Sequence, residues 1–155
     1  MPRVSRIVVE GHPHHITQRG NYKQTIFAGE KDYKFYLERL NEYANKYKLS
    51  ILAYCLMPNH VHFVAIPIEK DSLAKTFNAC HMRYAHYANK IKRLIGHLWQ
   101  GRFYSCVLDE KHLYGAIRYV ENNPVRAKLV NKAWEWNWSS AREHVLKEGK
   151  SILVL

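Results

Sequence analysis

Two histidines one residue apart, His60-Val61-His62, open a β-branched and aromatic run that continues Phe63-Val64-Ala65-Ile66 and directly follows Met57-Pro58-Asn59. A Pro-Asn turn signal ahead of such a run predicts a tight turn feeding a β-strand. Alternation along a strand sends His60 and His62 to one face and Val61, Phe63 and Ala65 to the other. Two imidazoles about 7 Å apart along a strand can hold one divalent cation through their ring nitrogens. The same pair also fits an ordinary half-exposed strand, so the spacing alone decides nothing. A second group stands far downstream in Tyr119-Val120-Glu121-Asn122-Asn123-Pro124. Tyr119 and Asn123, four apart, share a helix face, whereas Tyr114 points away from it. A cation held by imidazoles and an amide oxygen would polarise a phosphate ester, and a phenol is a nucleophile that leaves a covalent phosphotyrosine. A phenol ionises near pH 10, so attack at neutral pH needs a nearby cation or base, which the sequence does not identify.

Charge narrows the target. The chain has 155 residues with 24 Lys+Arg against 13 Asp+Glu, a net charge of +11, which suits a polyanion, and nucleic acid is the commonest one. A hydrophobic fraction of 47% is ordinary for a folded domain, and residues 1–155 are expected to form one domain. No apolar run approaches the ~20 residues of a membrane span, and the basic start lacks an apolar signal core. A cytoplasmic protein with no membrane partner is expected. Cys55, Cys80 and Cys106 are isolated, without a Cys-x-x-Cys pair, which argues against a zinc ribbon or disulfide framework and points to a reducing compartment. Cys55 and Cys106, both in strand-like runs, are expected to be small core residues.

The elements that must position these residues follow from periodicity. Strands are predicted over 14–19, 50–56, from 60 onward, and 99–107. Helices are predicted over 30–48, where Tyr33, Leu37, Leu40, Ala44 and Tyr47 recur at helical steps, and over 72–93. Asp109 is the expected N-cap of a third helix through 121. Pro124 cannot continue that helix and is suited to open a short new one, with Asn123 as cap. A short tail helix is expected near 139–142, and the apolar 152–155 as an edge strand. The fold class is therefore α+β: β-α-β-β-α-β, the ferredoxin-like split βαβ arrangement with an antiparallel sheet, followed by the Tyr119 helix and a helical tail. Its first and third strands lie side by side at the centre, which would place His60 and His62 on a rigid strand.

These residues are also recognisable together. His60-Val61-His62 resembles the His-hydrophobic-His motif of the single-tyrosine transposases. The run from Tyr119 through Asn123-Pro124-Val125-Arg126-Ala127 resembles the catalytic-helix signature of their REP-associated branch. The stretches 14–21, Leu98-Trp99-Gln100-Gly101-Arg102-Phe103 and Trp138-Ser139-Ser140-Ala141 are similar to that branch as well. The resemblance spans nearly the whole chain. It implies a ferredoxin-like fold, a Mg²⁺ or Mn²⁺ site, and cleavage of single-stranded or hairpin DNA with a 5′-phosphotyrosine. It carries His60 and His62 over as metal ligands, Tyr119 as nucleophile and Asn123 as third ligand. Geometry by itself leaves Asn123 and Glu121 both open, because a residue before proline is pushed from helical angles.

Around that site Arg3, Arg6, Arg19, Arg102, Tyr104, Arg126 and Lys128 are the candidates for contact with DNA. For the arginines near the start, a solvated basic face is an equal reading. Alternation turns Arg102 and Tyr104 one way and Phe103 the other. His12, His14 and His15 are left out of the metal site as the start of a strand, and the tail tryptophans are read as core plugs. The competing function is a non-catalytic binding module, since a ferredoxin-like sheet with aromatics and a basic surface also describes single-stranded RNA readers. Such a reader needs aromatics where this strand has His60 and His62. A metallohydrolase using water is a third reading. Monomer and homodimer are both compatible with one tyrosine per chain.

Overall fold

The computed structural model describes residues 5–93 and 95–146; Arg3 and the stretch 152–155 lie outside them. Strand β1 (His14–Arg19) leads through a 3-10 turn (Asn21–Lys23) to helix α1 (Glu30–Lys46). Strands β2 (Leu49–Met57) and β3 (His60–Pro67) form a hairpin, then come helix α2 (Ser72–Lys92) and strand β4 (Tyr104–Val107). Helix α3 (Glu110–Glu121), a one-turn helix α4 (Asn123–Arg126) and helix α5 (Ala141–Leu146) complete the order. The sheet order is β2-β3-β1-β4 and the three pairings are antiparallel. This is the ferredoxin-like arrangement expected from the sequence, with β1 and β3 central. Among the described residues no helix is long and apolar enough to cross a membrane.

Strand alternation divides the packing between the two faces of the sheet. Ile16, Val61, Phe63 and Ala65 join Tyr36, Leu40, Phe77 and Tyr84 of α1 and α2 in the main core. Tyr36, Tyr84, Phe63 and Phe77 are fully buried, and such rings contribute about 0.5–1.5 kcal/mol per pair beyond the area they bury. The opposite face carries a smaller cluster of Ala53, Cys55, Met57 and Val64, roofed by Leu113, Ala116, Ile117 and Val120 of α3. Trp138 stacks on Tyr33 at 4.8 Å, and Trp136 donates its indole N–H to Leu56 O at 2.9 Å, so these two tail tryptophans are core plugs.

Three local expectations change. Strand β4 begins at Tyr104 rather than Trp99, because Trp99 makes only an isolated bridge to Gly20 and stacks its ring on His81 at 4.3 Å. Cys106 is exposed rather than core, because β4 is an edge strand. Asp109 does cap α3, accepting the backbone N–H of His112 at 2.9 Å, but the chain breaks at Asn122 instead of Asn123. Asn122, at φ −87° and ψ 0°, closes α3, and Asn123 is already the first residue of α4.

Gly20 ties the end of β1 to the turn before His60 through its N–H on Asn59 O at 2.9 Å. A Cβ there would lie 2.6 Å from Gln24 O and 2.8 Å from Ile26 Cγ2. Gly20→Ala is therefore expected to destabilise the domain by about 1–3 kcal/mol, the usual cost of overpacking. Urea unfolding monitored by circular dichroism measures this, and an unchanged midpoint would show that the loop yields freely.

Candidate active site

Directly opposed residues of an antiparallel pair share a face, so the β1–β3 register builds the site row by row. Thr17 lies across from His62 and Arg19 across from His60; on β4, Tyr104 lies across from Thr17. The rings of His60 and His62 meet edge to face, 4.9 Å apart at 84°. His60 Nδ1 lies 2.6 Å from Asn59 Oδ1. An amide oxygen only accepts, so this nitrogen carries the hydrogen and Nε2 keeps its lone pair. The side chain of Asn123 lies beside His60, and its Nδ2 is buried without a partner among the described residues.

Glu121 faces elsewhere. Its carboxylate accepts the Ser140 hydroxyl at 2.7 Å and hydrogen-bonds His144 Nδ1, while the Ser140 oxygen accepts the Tyr54 N–H at 2.9 Å. Glu121 thus fastens the end of α3 to the tail. Among the described residues no three His, Cys, Asp or Glu side chains converge on a metal position. The Asn123 side chain lies against His60.

Tyr119 immediately precedes the fully buried Val120 and is itself 51% exposed. Its ring stands edge-on to His62, 6.1 Å away at 83°. The Arg126 guanidinium covers that ring at 4.0 Å from the centroid and donates from Nη2 to Tyr119 O at 2.8 Å. A cation–π contact at an exposed site contributes about 0.5–1 kcal/mol, enough with the hydrogen bond to bias the ring position.

The structure therefore brings together His60, His62, Tyr119, Asn123, Arg19 and Arg126, with Tyr104 exposed on the same face of the sheet. Arg6 is not among them: it donates from Nε to Phe103 O at 3.2 Å and stacks on the Phe103 ring at 3.6 Å, on the core side of β4. Arg102 lies near Arg6, and Lys128 is exposed just beyond α4 with φ of 59°. One residue excluded at the sequence level belongs to the site. His15 Nε2 is 3.2 Å from His62 Nδ1, with the two rings stacked at 5.4 Å and 7°. Its signal was the alternation His15, Thr17, Arg19, which becomes informative only once β1 is set beside β3.

Comparison with known proteins adds the family context. A sequence model described as "Transposase IS200 like" matches residues 8–123, a span that includes both histidines, Tyr119 and Asn123. A Haemophilus influenzae protein assigned as a REP-associated tyrosine transposase is 24% identical over 151 residues, covering 86% of each chain. A solved REP-associated tyrosine transposase bound to a REP hairpin matches 100% of this chain and 92% of its own, with a TM-score of 0.80 and 18% identity. A Deinococcus radiodurans protein assigned as a transposase matches 78% of this chain and 97% of its own, with a TM-score of 0.52 and 16% identity. At these identities the structural likeness speaks for the fold.

Burial holds the His15, His60 and His62 imidazoles below their usual pKa, and His62 falls to about 3 because the nearby His60, His15 and Arg126 add to the desolvation. His81, buried in the main core, is also lowered to about 3 by desolvation. The unfolded chain, with histidines near 6.5, then takes up protons first as pH falls. This part of the stability is fully present above pH ~6.5 and is lost progressively towards pH ~3, at about 1.4 kcal/mol per pH unit for each such group. Urea midpoints in chelator should fall below pH ~6.5, and His62→Gln should flatten the slope by about one group's worth. An identical slope in that variant would contradict a neutral buried His62.

Proposed function

The chain belongs to the family of IS200-like transposases, and on that premise we propose that it is a metal-dependent endonuclease and strand transferase acting on single-stranded or hairpin DNA, with Tyr119 as its nucleophile. The observation that carries this reading is the Tyr119 ring set edge-on to His62 at 6.1 Å and beneath the Arg126 guanidinium at 4.0 Å. The REP hairpin held by the structurally similar transposase makes hairpin DNA the substrate class to try first.

The donor set fits a divalent ion. Ligand imidazoles must be neutral, and burial keeps His60 and His62 so. Asn123 sets an amide beside His60, and its buried Nδ2 is without a partner among the described residues. His60, His62 and Asn123 would hold Mg²⁺ or Mn²⁺, which supplies polarisation of the scissile phosphate and stabilisation of the leaving oxygen.

The chain's own residues do the rest. The Tyr119 oxygen forms a bond to phosphorus as the bond from phosphorus to the 3′ oxygen breaks. The 5′ phosphate stays on Tyr119, the phenolic proton passes to solvent at this exposed rim, and the 3′ oxygen leaves to become a hydroxyl. Attack of a 3′ hydroxyl on the phosphotyrosine reverses the step and joins strands. Arg126 offers further guanidinium donors to the phosphate while it steadies the ring. Arg19, Tyr104 and Lys128 would bind flanking phosphates or an unpaired base, as Arg6 and Arg102 would further out. One protomer carries Tyr119, His60, His62 and Asn123 together, which supports cleavage within a single chain.

Incubation with labelled hairpin oligonucleotide and Mn²⁺, followed by a denaturing protein gel, tests the reading. Tyr119→Phe should lose the labelled adduct and keep DNA binding near the parent value, whereas Tyr114→Phe should keep both. Cut DNA without any protein-bound label would instead favour water as nucleophile.

The third ligand has its own test. Asn123→Ala should weaken Mn²⁺ affinity by at least about tenfold, the lower end for losing a supporting group, while Glu121→Gln should leave it unchanged and lower thermal stability. Calorimetric titration showing the inverse pattern would transfer the ligand role to Glu121.

A further inference from the structure

We propose that His15 is a positioning residue of this site: it accepts the Nδ1 hydrogen of His62, fixing the tautomer whose Nε2 lone pair is open to a ligand, and its ring braces Tyr119. The inference rests on the reading of His60 and His62 as ligands. His15 sits two residues before Thr17, the residue opposite His62. It is thus the diagonal neighbour of His62 across the central pair, within reach of a long side chain. Its Nε2 is 3.2 Å from His62 Nδ1.

A neutral imidazole has one N–H and one acceptor nitrogen, so the two facing nitrogens, 3.2 Å apart, share one hydrogen. If His15 donated it, the hydrogen of His62 would sit on Nε2 and close that atom to a ligand. If His62 donates, Nε2 is free. His60 uses the same device with a partner that can only accept: its Nδ1 is held by Asn59 Oδ1 at 2.6 Å. The two histidines of the strand are then oriented alike, each through Nδ1, one by an amide and the other by His15. Hydrogen-bond partners of this kind set ring orientation and tautomer in ligand histidines. His15 acts as a support because its Nε2 faces the Nδ1 of His62, away from the Nε2 left for a ligand.

The ring geometry adds a second part to the role. His15 and His62 lie nearly parallel, and Tyr119 stands edge-on to both, at 6.1 Å and 80° to the one and 6.1 Å and 83° to the other. The two imidazoles form one wall against the phenol. Loss of the His15 ring removes half of that wall.

Two substitutions separate the parts. His15→Phe keeps a ring but no acceptor; His15→Gln keeps a side-chain oxygen but no ring. Nitrogen-15 NMR of the metal-free protein reads the His62 tautomer directly, and calorimetry reads Mn²⁺ binding. The parent protein should show the hydrogen on His62 Nδ1. His15→Phe, with its melting temperature checked, should shift it towards Nε2 and weaken Mn²⁺ binding about 10–100-fold. His15→Gln should retain the tautomer and the affinity but form the covalent adduct more slowly. A parent His62 protonated on Nε2, or a folded His15→Phe variant with parental tautomer and affinity, would overturn the orienting role. Unslowed capture by His15→Gln would overturn the brace. A parent protein that binds no Mn²⁺ would count against the metal reading, while the tautomer measurement would still decide the role of His15.

Discussion

Strands β1 and β3 pair with Ile16 across from Phe63 and Thr17 across from His62, and the later features of the site depend on that register. Ile16 and Phe63 are wholly buried in the aromatic core under α1 and α2, so the pairing is locked by apolar packing on the face away from the chemistry. Because side chains alternate with period two, a one-residue slip that set Ile16 across from His62 would force either the imidazole into that core or Ile16 out of it. The same lock sets His15 diagonally beside His62 and Arg19 across from His60. Placement of the histidines is thus secured chiefly by residues that have no chemical role.

Helix α3 is held over this face by the same logic. Leu113, Ala116, Ile117 and Val120 cover Val64, Cys55 and Met57. Val120 is fully buried while the adjacent Tyr119 is half exposed, which leaves the phenol at the rim between helix and sheet. The break at Asn122 then lets Asn123 start a new turn against His60, and Arg126 at the end of that turn folds back over the Tyr119 ring. Glu121 is consumed in fastening the tail through Ser140 and His144. The proline after Asn123, which at the sequence level weighed against that residue, is buried in the second position of the turn.

Much of this was legible beforehand, because alternation and helical spacing are local. Strand β1 and the start of β3 fell where the pattern put them, and the split βαβ order followed. What was not legible depended on contacts between distant segments. His15 looked like an ordinary strand start until β1 lay beside β3. Cys106 reads like Cys55 in a strand-like run, yet β4 at the sheet edge leaves it exposed. Arg6 and Arg19 looked equivalent in a basic start, but one stacks on Phe103 and the other lies across from His60. Glu121 and Asn123 were separated in space by a tail whose Ser140 carries no catalytic signature.

The central claim is that Tyr119, and no other group, takes the phosphate. Trypsin cuts after Arg118 and Arg126, so Tyr119 and Tyr114 fall on different peptides. Protein incubated with a hairpin oligonucleotide and Mn²⁺, treated with nuclease and then trypsin, should yield the 119–126 peptide heavier by a 5′-linked nucleotide, with fragmentation placing the added mass on Tyr119. Added mass on the 112–118 peptide, or cleaved DNA with no modified peptide at all, would contradict the account.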